Sequence, residues 1–67
     1  MKVYFINCAG VGREIATVDT REQAYHEINK FCEERNFTIH YMRGWEQGNI
    51  QVVDVGSHTE FFHIVEA

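Results

Sequence analysis

The sequence contains no proline and only two cysteines, Cys8 and Cys32. Small secreted domains commonly depend on several disulfides, and two cysteines allow one at most, so we expect free thiols and a reducing cytoplasm. The chain has no apolar run near the about 18 residues that a membrane span requires. The stretch "VYFI" after Lys2 is shorter than the about 7–15 apolar residues of a signal peptide. We therefore expect neither a signal peptide nor lipid attachment at Cys8.

Basic residues are missing from the last third of the chain. All six Lys and Arg residues lie within residues 1–45, where acidic residues balance them, so the net charge of −4 arises in residues 46–67. Direct nucleic-acid binding requires a basic surface and is not expected. Two alternatives remain for the acidic residues: a solvated sheet edge, or a surface that mimics nucleic acid toward a basic partner. These residues are Glu46, Asp54, Glu60 and Glu66.

The stretch "NCAGVGRE", residues 7–14, has two glycines but lacks the context of a phosphate-binding loop. In such motifs a glycine loop leads from a strand into a helix, whose N-terminal amides hold the anion. Here strand-forming residues resume directly after the loop, and Ile15 stands where a third glycine would be. We predict a hairpin turn, in which glycine supplies positive φ angles.

Closely spaced metal ligands are also missing. Zinc sites typically use a cysteine pair or two histidines on one helical face, whereas here His58 and His63 lie near each other without a cysteine pair. We therefore predict no metal, no cofactor and no catalytic residue. The alternative is a small metal- or ligand-dependent enzyme around the turn at residues 56–63. It would use His58, His63 and Asp54.

Hydrophobic patterns predict five strands and one helix in the order ββαβββ. Runs rich in β-branched and aromatic residues, and runs that alternate apolar with polar residues, are typical of strands. The predicted strands are residues 2–8, 13–19, 37–45, 50–55 and 60–66, separated by turns at 9–12, 46–49 and 56–59. A chain of 67 residues is expected to form a single domain, residues 1–67.

The segment 20–36 carries the strongest local signals and is predicted to be the helix. Thr20 and Gln23 match a capping box, in which each side chain bonds the backbone of the other residue. Apolar residues recur at spacings of three and four, which gives one apolar stripe. Asn36 is predicted to end the helix in the left-handed conformation.

These elements predict a small α+β domain, with a mainly antiparallel five-stranded sheet and one helix packed on one face. A right-handed strand–helix–strand crossover makes strands two and three point in the same direction, so another strand fits between them. Placing strand one in that position predicts the spatial order 2-1-3-4-5.

The apolar residues exceed what one helix can cover. A helix is about 10–12 Å wide, whereas five strands at about 4.8 Å spacing extend over about 19 Å. Several strands are apolar on both faces, so we expect an aromatic patch to stay partly exposed as an interaction surface. The alternative is that sheet twist and long side chains cover it. The candidates are Tyr4, Tyr41, Trp45 and Phe61 or Phe62.

Tyr41, Arg43 and Trp45 are the predicted partner-binding residues. They share one side of predicted strand three, and Trp and Arg are enriched among the residues that dominate binding energy. Trp45 lies at the strand end, where a centred helix does not reach. The alternative is that Trp45 caps one end of the core, since tryptophan is highly buried on average.

Two stretches, "FINCAGVGREIATVDTREQAYHEINKF" and "DVGSHTEFF", resemble short uncharacterised accessory proteins encoded by bacteriophages and prophages of Gram-positive bacteria. The resemblance covers most of the chain and supplies no active-site residues. It implies an accessory protein that acts in the host cytoplasm by binding a host protein, such as a component of a defence system. We therefore expect a non-enzymatic protein-binding module, which docks on a host protein or self-associates as a homodimer.

Overall fold

The computed structural model describes residues 1–57 and 59–66. Within them there are one helix and five strands, and the five strands form a single antiparallel sheet. This confirms the predicted α+β class and the ββαβββ order. The helix packs on one face of the sheet, against the strands β1, β2 and β5. The elements are β1 (Lys2–Ile6), β2 (Gly12–Thr17), α1 (Arg21–Glu34), β3 (Arg43–Gln47), β4 (Ile50–Asp54) and β5 (Phe61–Val65).

Both ends of α1 are set by local hydrogen bonds. The backbone N–H of Gln23 donates to Thr20 Oγ1 at 3.2 Å and Gln23 Oε1 accepts from the Thr20 N–H at 3.3 Å, which confirms the predicted capping box. At the other end Asn36 has a φ of 54°, as predicted. The N–H of Asn36 donates to the Glu33 carbonyl, and the N–H of Phe37 donates to the Cys32 carbonyl. This pair of bonds is a Schellman motif.

The core lies between α1 and the sheet face beneath it. The helix contributes Ala24, Ile28 and Cys32, all buried, and burial raises the pKa of the Cys32 thiol. Three phenylalanine rings extend this core toward the C-terminal end of α1, with Phe5 at 4.9 Å from Phe31 and 5.4 Å from Phe62 between ring centroids. The rest of the chain contributes Val3, Val53, Val55, Phe62 and Ile64 to this core.

The predicted strand order 2-1-3-4-5 is wrong, since the sheet has the order β2-β1-β5-β4-β3. Relative to the prediction, β3 and β5 have exchanged places, and their amino-acid composition gives the physical reason. β5, "FFHIV", is apolar on both faces and suits the centre of the sheet, where both its edges are paired. β3, "RGWEQ", is mostly polar and each of its residues is exposed to some extent, which suits an edge.

The predicted limits of strand three, residues 37–45, are also wrong. The strand runs from Arg43 to Gln47, and residues 37–42 form an irregular segment that leads from the end of α1 to the far edge of the sheet. Phe37 and Ile39 alternate with polar residues, but they pack against the core as part of this connection. Phe37 holds the position of the Schellman motif that commonly makes an apolar contact with the last helical turns.

The stretch around Gly10 is a hairpin turn between β1 and β2, as predicted. The side-chain oxygen of Asn7 accepts the N–H groups of Ala9 and Val11 at 2.9 and 3.0 Å, and Gly10 has a φ of 79°. Gly12 belongs to β2 and supplies no positive φ. The β3–β4 turn is shorter than predicted, because it consists of Gly48 and Asn49 alone, while residues 46 and 47 lie in β3.

Candidate functional site

The sheet face opposite α1 carries the apolar side chains that the helix does not cover, and we call it the open face. Directly paired residues of antiparallel strands point to the same face. The pairing therefore places Tyr4, His63, Val52 and Trp45 in one row across β1, β5, β4 and β3. The remaining outward side chains of these four strands are Lys2, Ile6, Arg43, Gln47, Ile50, Asp54, Phe61 and Val65.

Trp45 covers part of the open face from the edge strand. Its ring lies 6.4 Å from the ring of Phe61, with the two planes at 77°. Val52, which lies between β3 and β5, is only 6% exposed although the helix lies on the other side of the sheet. Trp45 itself remains 38% exposed. The indole therefore shields its neighbours with one side and presents its other side to solvent, so it is not a buried cap of the core.

Arg43 holds the three predicted residues together in what we call the aromatic–arginine cluster, Tyr41, Arg43 and Trp45. Its guanidinium carbon lies 5.6 Å from the ring centroid of Tyr41 and 5.9 Å from that of Trp45. These distances lie within the range of cation–π attraction. The side chain of Arg43 is 67% exposed, so the cluster offers a planar cation between two accessible aromatic rings.

Asp54 of β4 holds this cluster in place, because its carboxylate accepts hydrogen bonds from two members of the cluster. One of its carboxylate oxygens, Oδ2, accepts from the Tyr41 hydroxyl at 3.3 Å and from Arg43 Nη2 at 3.4 Å. The other, Oδ1, accepts the backbone N–H of Gly56 at 2.9 Å. Asp54 is 6% exposed, and a carboxylate so buried needs such partners. This role was not predicted from the sequence, in which the one signal is an aspartate within an apolar strand.

The structure brings the predicted site residues together, although Tyr41 lies two residues before β3 and not within it. It also separates the two aromatic candidates of the last strand. Phe62 is fully buried in the core, whereas Phe61 is half-buried on the open face beside Trp45. Tyr4 is half-buried in the same row as Trp45. The role of these residues in binding remains a prediction.

The residues of the alternative metal or ligand site are only partly described. His58 lies outside the described residues. His63 is half-buried in the open face, where burial lowers its pKa below the ordinary value of 6.5. Asp54 is occupied by the anchoring bonds to Tyr41, Arg43 and Gly56. Among the described residues, no three His, Cys, Asp or Glu side chains are grouped so that they could hold a metal ion.

Three of the four acidic residues of the last third contact cations from the first part of the chain, namely Glu46, Asp54 and Glu66. Arg21, in the first turn of α1, contacts Glu46 at 2.9 Å and Glu66 at 3.4 Å, and these contacts raise the pKa of its guanidinium. Asp54 is paired with Arg43. The negative charge that is concentrated along the sequence is thus partly neutralised in the fold, so these contacts do not favour the nucleic-acid mimic.

Comparison with known proteins finds no matching family model, no matching curated protein and no matching solved structure. In the part of the chain that the structure describes, no helix combines the length and the apolar character needed to cross a bilayer. The geometry of the open face is therefore the main basis for a functional proposal.

Proposed function

We propose that the protein is a non-enzymatic binding module that docks on a partner protein through the open face, with the aromatic–arginine cluster at the centre of the contact. The observation that carries this proposal is the joint exposure of Tyr41, at 50%, and Trp45, at 38%, on either side of Arg43. Tyr, Trp and Arg are the side chains most often found to dominate the energy of protein interfaces.

The cluster also defines the chemistry of the partner. A guanidinium between two aromatic rings binds a carboxylate in a planar, bidentate manner, while the rings accept apolar groups next to it. Asp54 holds Arg43 in place but through a single contact at 3.4 Å, so the guanidinium keeps donors for a second carboxylate. The partner is a protein that presents an acidic side chain beside apolar ones.

The resemblance to phage and prophage accessory proteins supports a host protein as this partner, and hence a role in which the module binds or inhibits a component of the host, for example of a defence system. The open face supports the binding part of this proposal, and the choice of a bacterial host protein depends on the resemblance. The resemblance also supports a role in the host cytoplasm.

The test compares Trp45→Ala with a matched control, Val11→Ala. Val11 is an exposed apolar residue, 60% accessible, at the tip of the β1–β2 hairpin and away from the cluster. Proteins captured from a Gram-positive bacterial lysate are purified, and their affinity for each variant is measured by calorimetry. We expect at least about 30-fold weaker binding for Trp45→Ala, corresponding to about 2 kcal/mol, and unchanged affinity for Val11→Ala.

Equal binding by wild type and Trp45→Ala would show that the captured protein uses another surface. Loss of binding by both variants would indicate damage to the fold, which circular dichroism of the same samples detects. Failure of the wild-type chain to bind any purified host protein would contradict the proposal as a whole.

A further inference from the structure

The two edges of the sheet differ in how they are protected. The β1–β2 pairing is interrupted by a β-bulge at Ile15, since Val3 pairs with Ala16 and Tyr4 with Glu14. Bulges at edges twist the strand and hinder pairing with other chains. The β3–β4 pairing is regular over five consecutive pairs, and every residue of β3 is exposed. β3 is therefore the edge that can accept another strand.

The hydrogen-bond alternation identifies the backbone groups that β3 presents. In antiparallel pairs, successive residues direct their N–H and C=O groups alternately to one neighbour and to the other. The N–H of Glu66 donates to the carbonyl of Asn49 at 3.3 Å, so alternate residues of β4 beginning with Ile50 face β3. Continuing the alternation into β3 leaves the backbone groups of Gly44 and Glu46 directed toward the free edge.

Counting from the other edge of the sheet, at β1 and β2, identifies the same outward-facing backbone groups of β3. The N–H of Val18 donates to the carbonyl of Met1 at 2.8 Å, and the N-terminal ammonium of Met1 donates back to the Val18 carbonyl at 2.8 Å. Counting alternate residues from this pair across β1, β5 and β4 again directs Gly44 and Glu46 outward. Two independent starting points thus agree on the groups that are available at this edge.

We propose that β3 pairs in antiparallel fashion with β3 of a second copy of this chain, across a two-fold axis at Trp45. Two-fold axes are the commonest symmetry of oligomers, and each copy then contributes the same surface. In this register Gly44 of one copy lies opposite Glu46 of the second copy, and Arg43 lies opposite Gln47. No like charges are opposed, which is the arrangement that favours cross-strand pairing.

The composition of β3 suits a second copy of the chain. Its single cation, Arg43, and single anion, Glu46, compensate each other, so the net charge of −4 is not concentrated at this contact. Glu46 is also paired with Arg21 at 2.9 Å. The axis places the two Trp45 side chains next to each other on the same face, and aromatic cross-strand pairs stabilise sheets. The partner expected from this geometry is an identical strand.

The dimer would merge the two open faces into one continuous surface with two aromatic–arginine clusters. This pairing does not depend on the proposed function, because its hydrogen bonds come from the backbone of the edge strand, and the paired Trp45 rings only add to them. An edge of five residues buries less than the about 1,200 Å² of a stable interface, so we expect a weak dimer with a dissociation constant on the order of 10–100 μM.

The test compares Glu46→Pro with Glu46→Ala by sedimentation velocity between about 10 μM and 1 mM, a range in which a weak dimer forms by mass action. Proline removes the outward N–H of residue 46 and is tolerated where that group faces solvent. Alanine removes the same side chain, including its contact with Arg21, but keeps the N–H. We expect wild type and Glu46→Ala to form dimers as concentration rises, whereas Glu46→Pro remains a monomer.

A second measurement on the unaltered chain keeps the test independent of whether Glu46→Pro folds. The amide hydrogens of Gly44 and Glu46 should exchange several-fold more slowly at high than at low protein concentration, while that of Trp45, which faces β4, should not change. A monomeric wild type over the whole range would overturn the proposal, and so would dimers of folded Glu46→Pro. Binding of the captured host protein by monomeric Glu46→Pro would show that the proposed function stands without the dimer.

Discussion

The two faces of the sheet are made by the same strands but are covered in different ways. On the α1 side, Val3, Phe62 and Ile64 are at most 1% exposed because a helix lies across them. On the open face, Val52 is 6% exposed although no helix lies over it, and its directly paired neighbours are Trp45 and His63. Cover by a second layer removes all side-chain contact with water, whereas cover by lateral neighbours leaves their outer surfaces available for binding.

Replacing Phe62 and its neighbour Phe61 by alanine compares the two faces most directly. Phe62 is fully buried and contacts the rings of Phe5 and Phe31, so its removal should destabilise the fold by about 3–5 kcal/mol. Phe61 is half-buried on the open face, and its removal should cost about 1–2 kcal/mol. Urea unfolding measures both. Equal losses would show that the open face is packed as tightly as the core.

Gly56→Ala tests the loop that supports the cluster, with Gly10→Ala as its control. Gly56 has a φ of 96°, and a Cβ there would approach Cβ of His40 to 2.7 Å, next to the segment that carries Tyr41. We expect a loss of about 2–4 kcal/mol from backbone strain and steric conflict. Gly10 has a φ of 79° and open space around it, so strain alone should cost about 1 kcal/mol. Thermal unfolding distinguishes the two.

Trp45→Ala should reduce the free energy of unfolding less than Phe62→Ala or Gly56→Ala does. The indole is 38% exposed and makes one aromatic contact, with Phe61, so the expected cost is about 1 kcal/mol. A loss of 3 kcal/mol or more, in the range of about 3–5 kcal/mol for a buried tryptophan, would mean that Trp45 serves the core and not a binding surface.

The smallest expected effect is a pH dependence that belongs to the open face. Burial lowers the folded-state pKa of His63 below 6.5, so the unfolded chain binds a proton more readily than the folded one. Stability should therefore fall as pH decreases through about 6.5 and level off below the folded pKa. Replacing His63 by glutamine should remove this part of the dependence. If the pH dependence of stability is the same in the His63→Gln variant, it arises from other groups.

The helix could be predicted from the sequence because its determinants are local. Thr20 and Gln23 are three residues apart and form the capping box without help from the rest of the fold. Strand order depends on contacts between distant residues and could not be read from local patterns. Phe37 and Ile39 show the limit of periodicity, since their alternation is real but serves a connection that packs on the core.

The candidate site was predictable in part because its three aromatic and arginine residues are close together in the sequence. Tyr41, Arg43 and Trp45 are spaced by two residues, which is enough to bring their side chains near each other. The anchoring role of Asp54 depends on its register opposite Arg43, which a single sequence does not reveal. The same holds for the outward N–H of Glu46, which follows from counting hydrogen bonds across the whole sheet.

The central position of β5 has a consequence for how the chain folds. β5 joins two hairpins, β1–β2 and β3–β4, that are otherwise separate within the sheet. An isolated two-stranded hairpin is marginally stable at best in water, and the β1–β5 pairing connects Lys2 with Val65, nearly the whole length of the chain. Closing so long a loop is slow, so we expect single-step folding limited by the docking of β5, whose amide hydrogens exchange only when the whole domain unfolds.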